Sequence, residues 1–122
     1  MTFHLDTDIC IAALKGHTKV ADKVLNFADR VAISSIVLAE LYCGVFHSLN
    51  DFIAALAIEE FGTKEAIIYG RLCADLLRIG KPTGEKDALI AAVALRHGAT
   101  LVTHNTRHYA NIKNLKLEDW LT

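Results

Sequence analysis

The sequence predicts an α/β fold, a three-layer α/β/α sandwich around a central, mostly parallel sheet. Short apolar runs rich in strand-forming residues alternate along the chain with segments whose apolar residues have helical spacing. Such alternation is typical of parallel sheets that are covered by helices on both faces. The 122 residues suit one compact domain, and no repeat or interdomain linker interrupts them. We therefore expect residues 1–122 to form a single domain.

The first part of the chain predicts two strands and three helices. "TFHLD" is a strand that stops at Asp6, and "DICIAALKG" is a helix that Gly16 ends. "TKVADKVLNFA" predicts a helix with Thr18 as its N-cap, and "RVAIS" a second strand. Ser34 or Ser35 then caps a helix over "SIVLAELYCGVF", which is apolar on almost every face. We expect that helix to be buried on most of its surface.

The second part predicts three more helices and three strands. "NDFIAALAIEEF" is a short helix followed by a short strand at residues 58–61. A long helix then runs through Ile79, with Gly80 as its C-terminal cap. "GEKDALIAAVALRHG" is an Ala-rich helix closed by Gly98, and "ATLVT" is a buried strand. The tail predicts a turn, an edge strand at 115–117 and one Trp that covers the core.

Composition limits the possible environments and partners. Hydrophobic residues make up 52% of the chain and the mean hydropathy is +0.30, so we expect part of the apolar surface to be covered by a partner. No run reaches the roughly 18 apolar residues that a membrane span needs, and "MTFHLDTD" meets a carboxylate too early for a signal peptide. We expect a cytoplasmic protein with no membrane contact. Cys10, Cys43 and Cys73 sit in apolar helical context and are expected to be core thiols.

Three carboxylates stand where a neutral residue would cost less free energy. Asp6, Glu40 and Asp87 each lie inside or beside a strongly apolar segment. In open α/β sheets ligands bind beyond the carboxyl ends of the strands, and both Asp6 and the turn at 103–105 directly follow predicted strands. Singly, these residues could be helix caps or ion-pair partners. Their joint placement predicts one acidic site at an edge of the sheet.

Such a site requires a cation. Two carboxylates about 5 Å apart repel by roughly 3 kcal/mol at an effective dielectric of about 20, and no Lys or Arg stands beside Glu40 in the sequence. Mg²⁺ or Mn²⁺ fits best, since these ions prefer oxygen ligands, and Asn105 would add an amide oxygen. The net charge of −1 gives no bulk attraction to nucleic acid, so such a substrate must be held locally. The predicted chemistry is phosphodiester hydrolysis by metal-activated water.

Four segments together resemble a PIN-domain protein of the VapC toxin type, and the resemblance covers nearly the whole chain. They are "LDTDICIAAL", "ISSIVLAELYCGV", "YGRLCADLLRIGKPTGEKDALIAAVAL" and "LVTHNTRHYANIKNLKLEDW". The resemblance implies a Mg²⁺-dependent endoribonuclease that forms homodimers and is neutralised by a small VapB-type antitoxin. The implied metal ligands are Asp6, Glu40 and Asp87.

The same resemblance implies roles for residues after the fourth strand. Asn105 takes the place of a fourth polar or acidic catalytic residue, which is often aspartate in the wider family, so a second metal site is in doubt. Thr103 is expected to orient a metal-bound water or phosphate, and Arg107 to contact the RNA backbone. The segment "HSLNDFIAALAIEEFG" is short compared with the usual pair of helices. The short segment bears on two expectations: how the protein would clamp its substrate and which surface would form the dimer.

Three other functions are compatible with parts of the sequence. "HLDTD" could belong to a phosphatase of the haloacid dehalogenase type, with Asp6 as covalent nucleophile and Asp8 as acid. The carboxylates could merely cap helices in a non-catalytic PIN-like binding module. His104 and His108 could bind zinc only if a helix ran through the turn that contains them.

Overall fold

The computed structural model describes residues 2–44 and 49–122. Its single sheet has five strands, and every pairing between them is parallel. The strands are β1 (Phe3–Leu5), β2 (Val31–Ser34), β3 (Ala57–Glu59), β4 (Thr100–Val102) and β5 (Lys116–Glu118). Their order in the sheet is β3-β2-β1-β4-β5. The predicted α/β class is confirmed.

Helices connect the strands and cover the sheet to form the three-layer sandwich. They are α1 (Thr7–Leu14), α2 (Thr18–Asn26), α3 (Ser35–Gly44), α4 (Leu49–Ala54), α5 (Thr63–Arg78), α6 (Glu85–Arg96) and α7 (Thr106–Tyr109). Helix α1 packs on α2 and α3, and α5 packs along α6. The predicted end of the third helix, at residues 45 and 46, lies outside the described residues.

The strand order creates a switch point beside β1, where ligands bind in open α/β sheets. From β1 the chain adds β2 and then β3 on one side, whereas β4 and β5 lie on the other. Leu5, the last residue of β1, pairs with Val102, the last residue of β4. Asp6 and Thr103 are therefore neighbours at the carboxyl ends of adjacent strands, although 97 positions separate them in sequence.

Small side chains let α6 lie close to the rest of the core. A continuous run from Ile90 to Ala94 is buried, and Ala88 is 1% exposed. Because alanine has only a methyl group, the helix axis can approach its neighbours closely, and this fixes the first turn of α6, which carries Asp87. Trp120 is 1% exposed and packs on Phe3 and Phe27, so it covers the core as predicted.

The helix ends mostly follow the sequence signals. Gly16, Gly80 and Gly98 all have positive φ just after helices, as expected for glycine caps. Ser34, rather than Ser35, caps α3, and its Oγ accepts from the Val37 amide at 3.1 Å. The predicted cap at Thr18 is wrong, because the Nδ1 of the preceding residue, His17, accepts from the Val20 amide.

Helix α3 is less buried than its composition predicted. Only Val37 and Leu41 are buried, and Cys43 is exposed rather than a core thiol. An apolar pattern shows that a face is to be covered but not by which chain, so in the isolated chain several of these side chains remain accessible. Cys10 is buried and Cys73 half-buried. The strands predicted at 58–61 and 115–117 are observed at 57–59 and 116–118.

Residues 106–109 form one turn of helix, α7, where a plain turn was predicted. The turn is too short to show an apolar period, and its stability comes from Tyr109, which is 1% exposed. No helix within the described ranges is long and apolar enough to cross a membrane.

Candidate active site

Asp6 occupies the switch point and is almost completely enclosed. It is 6% exposed and caps α1, with Oδ1 accepting from the Thr7 amide at 2.8 Å. Its Oδ2 accepts from the hydroxyls of Thr103 and Tyr109, both at 2.9 Å. Burial raises the pKa of this carboxyl, and the hydrogen bonds from Thr7, Thr103 and Tyr109 oppose that rise. Three neutral donors thus orient a carboxylate that solvent barely reaches.

Thr103 is a support for Asp6 and does not line a surface. Its side chain is 0% exposed. Its hydroxyl donates to Asp6 and accepts from the backbone N–H of Asn105 at 3.1 Å. The sequence predicts that Thr103 orients a metal-bound water or phosphate; in the structure its hydroxyl contacts Asp6 and the Asn105 backbone N–H. Its hydroxyl and that of Tyr109 are the two donors that satisfy Asp6 Oδ2, which a buried carboxylate oxygen requires.

Asp87 reaches the same point from the first turn of α6. Its Oδ1 lies 3.1 Å from the Tyr109 hydroxyl, which also contacts Asp6. Its Oδ2 lies 3.2 Å from Nδ1 of His108, whose side chain is 59% exposed. Tyr109 and His108, both in α7, therefore each contact one carboxylate oxygen of Asp87. Because the Tyr109 hydroxyl contacts both carboxyl groups, Asp6 Oδ2 and Asp87 Oδ1 are no further apart than the sum of these two hydrogen bonds.

Glu40 joins this group indirectly. Its Oε1 accepts from the Thr7 hydroxyl at 2.8 Å, and Thr7 is the residue whose amide donates to Asp6. Its Oε2 lies 3.8 Å from Nζ of Lys86, a side chain that is 72% exposed. Lys86 approaches Glu40 from the solvent side, so such a pair contributes little attraction.

The structure thus brings Asp6 and Asp87 onto one hydroxyl and places Glu40 one residue away. Within the described parts of the chain no three His, Cys, Asp or Glu side chains are close enough to enclose a metal as they stand. The donor chemistry nevertheless suits a hard divalent cation, since every candidate ligand is a carboxylate oxygen. A buried Asp6 that is held only by neutral donors also suits a cation in place of a salt bridge.

Asn105 and Arg107 lie on the open side of the site. Both are exposed, and the Asn105 side chain makes no capping hydrogen bond to α7. Arg107, His108 and Asp87 line a cavity of about 350 Å³, together with Lys81 and other residues before α6. This is the position expected of groups that contact a substrate.

Two further acids, Asp8 and Asp119, lie beside the site, and the predicted metal site included neither of them. Asp8 accepts from the amides of Ile9 and His104, at 2.8 and 3.0 Å. Nδ1 of His104 lies 2.9 Å from Asp119. His104 and His108 therefore contact different acids, Asp119 and Asp87, which does not fit a shared zinc ion.

Tyr109 is the main site residue that the sequence analysis missed. It stands four positions after Asn105 in the quoted "LVTHNTRHY" segment. The available signal was that a buried tyrosine needs a partner for its hydroxyl, and the only polar groups expected beneath this turn were the predicted carboxylates.

The family profile of the PIN domain matches residues 4–114 of the chain. That range contains all six residues predicted for the site and most of the sheet. The chain belongs to the PIN domain family. The match replaces the phosphatase interpretation of "HLDTD".

Within that family the chain is similar to VapC proteins. It is 39% identical over 132 aligned positions to ribonuclease VapC2 of Rickettsia felis, with 98% of each chain covered. It is 35% identical over 130 positions to the tRNA(fMet)-specific endonuclease VapC of Salmonella typhimurium, again with 98% coverage of both. Both alignments are longer than the 122 residues of this chain, so the relatives contain residues that it lacks.

The fold agrees with solved VapBC structures. The crystal structure of DNA-bound VapBC from Salmonella typhimurium superposes with a TM-score of 0.91 at 33% identity, covering 98% of both chains. Similarity of this extent includes the strand ends that carry Asp6 and Thr103.

Proposed function

We propose that the protein is a Mg²⁺-dependent endoribonuclease and the toxin of a VapBC-type toxin–antitoxin system, with Mn²⁺ as a possible substitute ion. The observation that carries this proposal is the contact of Asp6 and Asp87 with one hydroxyl at the sheet's switch point, in a chain similar to ribonucleases along 98% of its length. RNA as substrate also indicates the cytoplasm as the place of action.

In this proposal Asp6, Glu40 and Asp87 hold the cation. When bound, the cation lowers the pKa of the attacking water and neutralises negative charge on the scissile phosphate. Thr103 keeps Asp6 in its rotamer. Arg107 contacts the RNA backbone, because it lines the cavity that also contains Asp87. The exposed side-chain amide of Asn105, whose backbone N–H donates to Thr103, binds the metal or holds its water. These phosphate contacts position RNA without selecting its sequence.

The RNA target is tested by sequencing RNA ends after brief induced expression of wild type and Asp6→Asn. New 5′ ends at defined positions should appear only with the wild type. Transfer RNAs are the first class to inspect, because the Salmonella typhimurium relative is named a tRNA(fMet)-specific endonuclease. Identical end profiles for the two proteins would contradict the proposal and favour a non-catalytic binding module.

The partner in this proposal is a small VapB-type antitoxin. Solved relatives are VapBC complexes, and the exposed residues of α3 offer apolar surface for a partner. Expression of the chain alone should arrest growth, and co-expression of the small protein encoded beside it should restore growth. Arrest that persists during co-expression, or that Asp6→Asn also causes, would contradict the toxin role.

We also infer a homodimer. Helix α5 and its C-cap carry three strongly exposed aliphatic residues, Ile67, Leu77 and Ile79, which are 52%, 71% and 57% exposed. Exposed apolar side chains of this kind are characteristic of association sites, and in this proposal a second copy of the chain covers them. Sedimentation of the free protein should give twice the chain mass of 13.4 kDa, and Ile67→Asp should give monomers. A wild type that sediments as a monomer would contradict this inference.

A further inference from the structure

Tyr109 is the only side chain among the described residues recorded as hydrogen-bonding both Asp6 and Asp87. Its hydroxyl lies 2.9 Å from Asp6 Oδ2 and 3.1 Å from Asp87 Oδ1. The two acids belong to different elements, the end of β1 and the first turn of α6. Within the described residues, no backbone hydrogen bond joins β1 to α6 and so fixes the spacing of the two carboxylates.

The Tyr109 hydroxyl is enclosed between the hydrophobic core and the two carboxylates. Tyr109 is 1% exposed, so the hydroxyl neither meets solvent nor reaches substrate. A buried tyrosine is favourable only when its hydroxyl is hydrogen-bonded, and here its single proton is shared between two carboxylates, Asp6 at 2.9 Å and Asp87 at 3.1 Å. Its ring is part of the hydrophobic core, which fixes where the hydroxyl stands.

Asp6 has other supports, whereas Asp87 depends on α7. Thr7 and Thr103 also hold Asp6, but the contacts to Asp87 come from Tyr109 and from the exposed side chain of His108. Loss of the Tyr109 hydroxyl would therefore free Asp87 to turn toward solvent. Two carboxylates repel one another unless a donor or a cation lies between them.

We propose that Tyr109 is a positioning residue that holds Asp6 and Asp87 at the spacing at which one divalent cation can bind both. This inference rests on the proposed function, because it concerns the same metal site. Hydrogen-bond partners of metal ligands commonly alter metal affinity by about 10- to 100-fold when removed. The hydroxyl also links the site to α7, the helix that follows Asn105.

The test compares Mn²⁺ and Mg²⁺ binding by wild type, Tyr109→Phe and Tyr69→Phe, using the electron paramagnetic resonance signal of free Mn²⁺ and calorimetry. Tyr109→Phe should bind about 10-fold more weakly or worse, and the Mg²⁺ concentration for half-maximal RNA cleavage should rise equally. At saturating Mg²⁺ its kcat should remain near that of wild type. Tyr69 contacts the Phe61 ring and neither carboxylate, so Tyr69→Phe should bind as wild type does.

The outcomes separate this inference from the proposed function. If Tyr109→Phe binds Mn²⁺ and Mg²⁺ as tightly as the wild type or more tightly, the positioning role alone is overturned. Absence of binding by the wild type overturns the metal site and the positioning role together.

A second measurement uses the wild-type protein and needs no substitution of Tyr109. In wild-type protein labelled with ¹³C at tyrosine Cζ, the Tyr109 signal should shift when Mg²⁺ is added, while that of Tyr69 stays in place. An unmoved Tyr109 signal in protein that binds Mg²⁺ would overturn the inference even if Tyr109→Phe failed to fold.

Discussion

At the scale of single residues, the site depends on hydroxyl groups that hold acids in place. Asp6 receives hydrogen bonds from two hydroxyls and one amide, and Glu40 receives one from Thr7. Hydroxyls orient a carboxylate without neutralising it, so the negative charge remains for a cation. A lysine or arginine in the same place would remove that charge.

Thr103→Val should destabilise the protein by about 1 to 3 kcal/mol, because the isosteric valine removes one of the three hydrogen bonds to the buried Asp6 carboxylate and the one from the Asn105 backbone N–H. Urea unfolding at neutral pH measures this change. Thr100→Val is the matched control, since Thr100 is a buried threonine at the start of β4, the strand that ends just before Thr103, and contacts neither group. Equal effects of the two substitutions would contradict the supporting role of Thr103.

His4 predicts how stability depends on pH. It is 3% exposed, its Nδ1 has no hydrogen-bond partner, and its ring lies beside that of His97. Burial, assisted by His97, lowers its pKa from 6.5 to about 4. Between these values the unfolded chain binds the proton more readily, so stability is full above pH 6.5 and falls as the pH drops to 4. The loss should reach about 3 kcal/mol.

Denaturant unfolding at pH 7, 5.5 and 4.5 tests this dependence. His4→Phe should flatten much of the fall in stability, because a neutral ring remains in the strand. His17→Asn keeps an N-cap residue on α2 and should leave the fall unchanged. A wild-type slope that His4→Phe does not reduce would assign the pH dependence to other groups.

At the scale of elements, the sequence predicted well where local chemistry decides and less well where tertiary contacts decide. The glycine stops at residues 16, 80 and 98 were predictable because only glycine takes positive φ at little cost. Helix α7 was not, because a single turn has no periodicity and is fixed by the burial of Tyr109. The exposed face of α3 could not be predicted either, since composition does not tell which chain covers an apolar surface.

Gly70, inside helix α5, and Gly80, just after its C-cap Ile79, should respond oppositely to alanine. Gly80 has φ +68°, where a Cβ is strained although space is open, so Gly80→Ala should destabilise by about 1 kcal/mol. Gly70 lies inside the helix with open space around it, so Gly70→Ala should stabilise by about 0.5 to 1 kcal/mol. Thermal unfolding followed by circular dichroism measures both. A lower melting temperature for Gly70→Ala would contradict the helical assignment at that residue.

At the scale of the whole molecule, the strand order makes the site. Residues 6, 40, 87 and 103–109 are distant in sequence, and the parallel sheet brings their elements together at one edge. Alternating strands and helices predicted that edge, and Asp6 and Asp87 indeed share a partner there. The sequence could not predict that hydroxyls, rather than direct contact, link the three acids. Side-chain distances depend on packing that no spacing rule contains.

The central claim is that these acids form a metal-dependent ribonuclease site, and the most direct test is cleavage of a defined RNA by purified protein at increasing Mg²⁺. Wild type should cleave only when Mg²⁺ or Mn²⁺ is present and stop when a chelator is added. Asp6→Asn and Asp87→Asn should lose cleavage yet keep the wild-type circular dichroism spectrum. Asp22→Asn, at an exposed position on α2, should cleave normally. Cleavage that survives chelation, or that persists in both acid variants, would contradict the account.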